Sequence, residues 1–203
     1  MIRKKAGVNK HLVTIGLLGC CTGVGVTHLA VMLAGFLSSK EHRKTALIEF
    51  NHAGALKALR KLYSDEKTDF NNCFEINGVD YYTVSNDREF AAIFQMGYEY
   101  LVIDFGHEWT DNISQFMQCD IGCVVGSLNE WKISRFEECV TELERLNISG
   151  NFHYVSTFGV QRFGRDIEKN FRIKIRMVPF EPSPFLLHKE TFTLLEILSH
   201  SLM

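Results

Sequence analysis

The sequence predicts a single doubly wound α/β domain, a mostly parallel sheet with helices on both faces. Two observations carry this. Short apolar runs alternate with helical patterns along nearly the whole chain, which is the trace that successive βαβ units leave. Several of those runs, "LVTIGLL" and "YLVIDF" among them, are continuously apolar, as parallel strands covered on both faces should be. At 203 residues the chain has the length of one domain with a large core.

The expected strands are, in order, Leu12–Leu18, Ala46–Phe50, Tyr81–Val84, Tyr100–Asp104, Ile121–Val125, Phe152–Val155 and Ile173–Val178. After Thr27, residues Leu29, Met32, Leu33, Phe36 and Leu37 recur at helical spacing. Ile133, Phe136, Val140 and Leu143 form a second stripe, and Leu187, Leu194, Leu195, Leu198 and Leu202 a third. Residues 64–78, "SDEKTDFNNCFEING", are the most polar stretch and read as a long surface loop.

Composition narrows the function. Apolar residues make up 46% and charged residues 23%, as in ordinary globular proteins. Lys+Arg 22 against Asp+Glu 24 leaves a net charge of −2, so no global basic field exists to hold DNA or an anionic membrane. The densest positive region, Arg162, Arg165, Lys169, Arg172, Lys174 and Arg176, is diluted by Asp166 and Glu168 and reads as a solvated face. Six cysteines show neither C-x-x-C spacing nor a secreted ladder. Cys119 and Cys123 lack a second ligand pair at zinc spacing, and Cys123 reads as a core thiol.

The basic start and the short apolar segment Leu12–Leu18 do not make a signal peptide. No run of about 18 apolar residues occurs. The expectation is a cytoplasmic protein with a basic tail over residues 1–10 and one domain over 11–203. The last helical stripe carries His188, Lys189, Glu190 and Glu196 on its polar face. It reads as a helix packed on the sheet, and peripheral membrane association is not supported.

Residues 19–28, "GCCTGVGVTH", lie between a strand and a helix. In such sheets ligands bind beyond the C-terminal ends of the strands. The layout is that of a phosphate loop, G-x-x-x-x-G-K-[ST], whose backbone N–H groups wrap phosphates while Lys neutralises them and Ser/Thr holds Mg²⁺. With Gly25 as the last glycine, Val26 falls on the lysine, Thr27 on the metal-binding hydroxyl and Cys20 on the first glycine.

The loop and its surroundings resemble the MinD/ParA family of P-loop ATPases, whose variant loop runs x-K-G-G-x-G-K-[ST]. "CCTGVGVT" keeps Gly23, Val24, Gly25 and Thr27 of that pattern. The family's early lysine falls on Cys21 and its second on Val26. "KTALIEFN" resembles the family's second strand, with Glu49 at the acidic position, and "YEYLVIDFG" its Walker B strand, with Asp104 at the metal-linked one. "CDIGCVVGSLNEWKI" is similar to the following strand and turn, and "RMVPFEPS" to the last strand and its P-x-[DE] turn near the adenine. The resemblance covers about residues 11–203. Within the family the sequence is most similar to TadZ-type proteins, which have degenerate loops and serve pilus assembly.

The resemblance implies a nucleotide site of Cys21, Thr22, Gly23, Val24, Gly25, Val26, Thr27, His28, Pro179 and Glu181. It implies Mg²⁺ held at Thr27 and Asp104, with Glu49 close by, and ATP or ADP as the cofactor. It also implies a homodimer meeting across the nucleotide face. The missing lysines weigh against catalysis. One hydrogen bond to a charged group is worth about 1.5–3 kcal/mol, roughly ten- to 150-fold in binding, and losing a transition-state charge costs a further factor of about 10²–10³ in rate. Helix N-terminus and loop N–H groups still favour an anion. The expected function is therefore a weak nucleotide binder that works as a scaffold or assembly factor through protein partners.

Three other readings stand beside it. An active ATP-driven dimer switch needs replacement charge, for which His28, Lys4, Lys5 and Lys10 are the candidates. An NAD-type enzyme is suggested by Gly23-x-Gly25 and Glu49, but its third glycine position holds His28 and no catalytic Tyr-x-x-x-Lys follows. A protein-interaction module with an empty pocket is the last.

Overall fold

The first apolar run forms strand β1 (Val13–Gly19), and the loop after it leads into helix α1 (Val26–Ser39). The remaining strands are β2 (Thr45–Glu49), β3 (Cys73–Ile76), β4 (Val79–Thr83), β5 (Tyr100–Asp104), β6 (Ile121–Leu128), β7 (Phe152–Gly159) and β8 (Ile175–Met177). The remaining helices are α2 (Ala55–Tyr63), α3 (Asp87–Ile93), α4 (Trp109–Phe116), α5 (Ile133–Arg145), α6 (Arg165–Phe171) and α7 (Lys189–Leu198). This computed structural model describes residues 12–63, 72–84, 86–146 and 152–200. The basic tail expected over residues 1–10, with Lys4, Lys5 and Lys10, lies outside them, as does Leu202.

One eight-stranded sheet runs in the order β3-β4-β2-β5-β1-β6-β7-β8. Every pairing is parallel except β3 with β4. The continuously apolar strands fill both faces because neighbouring side chains point to opposite sides. Ile15 and Leu17 of β1 join the core beneath α1 and α7, while Leu18 joins the one formed with α4 and α5. Likewise Val102 of β5 lies on the first side, and Leu101 and Ile103 on the second. Parallel neighbours on both sides place β1 inside the sheet and its C-terminal loop at the sheet's ligand edge.

The structure corrects the surface loop expected over residues 64–78. Residues 64–71 lie outside the described residues, but Cys73–Ile76 is a strand that turns back into β4. Asn77 and Gly78 form the turn with φ of 51° and 77°. Asn-Gly with both φ positive is the two-residue turn whose twist matches a hairpin. The third helical stripe also starts later than its apolar residues suggest. Helix α7 begins at Lys189, and Leu187 precedes it. No described helix is long and apolar enough to cross a membrane.

Candidate functional site

The loop is fastened at its root and at its outer edge. Gly19 N–H donates to Gly106 O (2.7 Å), Cys20 N–H donates to Val125 O (2.8 Å), and Trp109 Nε1–H donates to Gly19 O (2.8 Å). Val24 and Val26 are buried in the core. Gly25 closes the loop as the N-cap of α1 with φ 81°, a left-handed conformation that side-chain-bearing residues avoid. Farther out, the loop carbonyls are the acceptors. Lys132 Nζ donates to Thr22 O (2.8 Å) and Gly23 O (3.0 Å), and Thr157 Oγ1 donates to Val24 O (2.7 Å).

The N–H groups of the same loop have no such partners. Among the described residues, none of the backbone N–H groups of residues 21–28 donates a hydrogen bond. No side chain caps α1, and its first turn has no acidic residue. Unpaired amides at the positive end of a 14-residue helix make a site for an anion.

Thr27 and Asp104 meet beside these amides. Thr27 Oγ1–H donates to Asp104 Oδ2 at 2.5 Å, and Gly106 N–H donates to Asp104 Oδ1 at 2.9 Å. Asp104 is fully buried, and burial raises its carboxyl above the ordinary range despite these donors. Together the two residues offer hard oxygen donors of the kind Mg²⁺ takes. The described residues contain no cluster of three or more His, Cys, Asp or Glu that could hold a metal alone. Mg²⁺ here would need phosphate oxygens to complete its shell.

Glu49 pairs with Asp104 in register across β2 and β5, yet its carboxylate turns to another task. Oε1 accepts the N–H groups of Ala55 (2.6 Å) and Leu56 (3.3 Å) at the start of α2. Burial raises its pKa, those two amides oppose the rise, and the neighbouring Asp104 adds to it.

Between the N-terminal turn of α1 and the ends of β7 and β8 lies a mostly apolar cleft of about 250 Å³. Gly25, His28, Met32, Phe158, Pro179 and Phe180 are among the residues that line it. His28 Nε2 is buried there without a partner, and burial lowers the pKa of the ring against the opposing pull of Glu181. A neutral His28 does not replace a lysine. An apolar wall with one orphaned imidazole nitrogen fits a heteroaromatic base, as the open loop amides fit phosphates, so the residues present fit a nucleotide.

Glu181 also borders the cleft, but its carboxylate is engaged elsewhere. It accepts His188 N–H (2.8 Å), contacts His188 Nδ1 (2.7 Å) and accepts the Thr191 hydroxyl, at the start of α7. Burial works against ionisation, but the Thr191 and His188 donors outweigh it and hold the carboxyl below its usual range.

Lys132, Thr157 and Trp109 were not among the residues expected at the site. They reach the loop from 110, 133 and 90 residues away. Lys132 lies in the stretch "CDIGCVVGSLNEWKI", which marks a strand and turn but not a contact with the loop. Cys20, at the first-glycine position, packs its thiol 2.9 Å from Cys139 Sγ on α5.

No family model and no curated protein sequence matches the chain. Solved structures do. A plasmid partition protein from Borrelia burgdorferi B31, bound to AMPPNP, superposes with a TM-score of 0.65 at 15% identity, covering 91% of this chain and 96% of that one. MinD in the Aquifex aeolicus MinC:MinD complex gives 0.68 at 14% identity, with coverage of 95% and 98%. The Pyrococcus furiosus cell division ATPase MinD gives 0.62 at 12%, with coverage of 90% and 96%. With strand order, phosphate loop and acidic strand ends already in place, these likenesses establish that the chain has the fold of the MinD/ParA P-loop ATPases.

Proposed function

We propose that the protein binds ATP or ADP with Mg²⁺ weakly and acts as a scaffold or assembly factor, not as an efficient ATPase. The observation that carries this is the set of unpartnered N–H groups over residues 21–28, in a loop with no cation of its own. Backbone amides and the α1 dipole attract phosphate. Cys21 and Val26, where the lysines would stand, supply no charge to a transition state, and Val26 is buried in the core. Thr27 and Asp104 would hold Mg²⁺, and Pro179 and His28 would border the base. The metal would supply charge neutralisation at the phosphates when bound.

Exposed Trp131, Phe158, Val160, Phe180 and Leu186 support a role through protein contacts. The Aquifex MinD of like fold is seen with MinC, and we propose a homodimer or a docking partner for this chain in the same way. The resemblance to TadZ-type proteins points to a pilus or secretion machine in the cytoplasm as the assembly served. Calorimetry with ATP·Mg²⁺ and ADP·Mg²⁺ together with a phosphate-release assay tests the reading. Binding no tighter than micromolar with negligible release is expected. Release at about 1 s⁻¹ or faster, a typical enzyme rate, would overturn it.

A second reading, the ATP-driven dimer switch, is favoured by one observation, the Lys132 ammonium at the loop. Sedimentation with and without ATP·Mg²⁺ separates the two. A scaffold with Cys21 in place of the family's early lysine associates independently of ATP, because a ligand with no differential affinity shifts no equilibrium. A monomer that dimerises only with ATP establishes the switch.

A further inference from the structure

We propose that Lys132 is the cation of this phosphate loop: it contacts the terminal phosphate of a bound nucleoside triphosphate and replaces the charge missing at positions 21 and 26. The inference rests on the nucleotide reading above. Nothing in the family pattern places a cation here, since both of its lysines belong to the loop itself.

The geometry singles out this ammonium. Its two acceptors are the neutral carbonyls of Thr22 and Gly23, at 2.8 and 3.0 Å. Among the described residues no carboxylate forms an ion pair with it. Its charge is felt at the loop, where Lys132 and then Arg135 draw the Cys21 thiol down against the larger upward effect of burial. A side chain at Gly23 would place its Cβ 3.2 Å from Nζ, so glycine there leaves the ammonium room over the loop. The open amides at the start of α1 lie at one end of residues 21–28 and Lys132 sits over Thr22 and Gly23. Turned from those carbonyls toward an anion held by the loop amides, the ammonium would add a second positive group to that of the α1 start.

The backbone that carries Lys132 is tied down by hydrogen bonds. Lys132 N–H donates to Asn129 Oδ1 (3.0 Å) as α5 begins. Leu128 N–H donates to Ser156 Oγ (2.9 Å), and Val160 N–H donates to Leu128 O (3.2 Å). Gly159 has φ 104°, and a Cβ there would fall 2.0 Å from the Leu128 carbonyl carbon, so the close approach of β6 and β7 needs glycine. Only the flexible side chain has to move. It exchanges neutral acceptors for a charged phosphate oxygen, a stronger hydrogen bond.

The test is calorimetry of ATP·Mg²⁺ and ADP·Mg²⁺ binding to the whole chain and its variants. Lys132→Gln keeps a donor for the carbonyls but removes the charge, and Lys132→Met removes both. Both should weaken ATP binding about ten- to 150-fold, the worth of one hydrogen bond to a charged group, and weaken ADP binding distinctly less. Arg135→Met, which removes a nearby charge engaged with Glu138, should change either affinity less than about threefold, within the range of a screened exposed charge. Cys21→Lys added to Lys132→Gln should restore ATP affinity by returning a cation to the loop. Unchanged ATP affinity in Lys132→Gln overturns the proposal. Equal losses for ATP and ADP, or no rescue by Cys21→Lys, overturn it too, since Lys132 would then merely shape the loop. A wild-type chain that binds neither nucleotide overturns the underlying reading instead.

Discussion

Of the helices that follow strands, α1, α2 and α7 have N-termini that are served differently. Glu49 caps α2 through the Ala55 and Leu56 amides, whereas Glu181 ties the start of α7 through the N–H of its N-cap residue His188 and the Thr191 hydroxyl. Each brings its own buried anion. α1 brings none: its N-cap is Gly25 and its first-turn amides are unpaired. Every helix start leaves N–H groups that require acceptors. The α2 start is closed on its first amides, the α7 start is tied one residue before the helix, and the α1 start is left open. Two glutamates that motif alignment assigns to the site thus complete neighbouring helices.

The sharpest way to break this contrast is at the closed ends. Glu181→Ala leaves the buried Thr191 hydroxyl unsatisfied and should cost about 1–3 kcal/mol, lowering the thermal midpoint by roughly 2–12 °C at this size. The same carboxylate gives a pH signature. Its pKa is depressed in the folded chain, so its contribution is complete above the unfolded value of about 4.3 and is lost as pH falls through the folded value. Glu181→Gln should flatten that acid limb in thermal scans at stepped pH, and an unchanged limb would show that the cap carries no charge.

Next comes the open end. Gly25→Ala forces a left-handed alanine, at a cost of about 1–2 kcal/mol. Its Cβ would meet Thr157 Cγ2 at 3.4 Å, an ordinary contact, so the loss is conformational. Urea titration should show that loss and calorimetry a further fall in nucleotide affinity; an unaffected affinity would move the anion away from this turn.

A smaller effect is expected from the ligand itself. Nucleotide at about five times its Kd adds about 1 kcal/mol, a rise of roughly 2–4 °C in the thermal midpoint, and no rise at saturating ATP·Mg²⁺ would mean that the open end stays open. The smallest is Glu49→Gln. It keeps an acceptor for the α2 amides. The charge–dipole loss of about 0.3–1 kcal/mol is offset because burial already disfavours that charge, so the denaturation midpoint should barely move. Denaturation midpoints that fall more than those of Glu181→Ala would reverse the ranking of the two caps.

Much of the fold was legible because it rests on local patterns. Continuous apolar runs marked the parallel strands, and the first two helical stripes marked α1 and α5. The β3–β4 hairpin was missed although Asn77-Gly78 announced it, because the polar residues around it masked a four-residue strand. Leu187 fits the α7 stripe by spacing, but His188 is extended and the helix begins only at Lys189.

By itself the sequence determined the fold and the place of the glycine loop at the sheet's ligand edge. Strand periodicity and the glycines before Thr27 are properties of adjacent residues, and they bring Thr27 to Asp104 once strands stand in parallel register. Only the tertiary structure decided what each polar group does there. Glu49 faces the first amides of α2 and Glu181 the donors at the entry to α7, burial lowers the pKa of His28, and Lys132 reaches the loop from a turn 110 residues away. Those outcomes depend on distances across the sheet, which no spacing along the chain encodes.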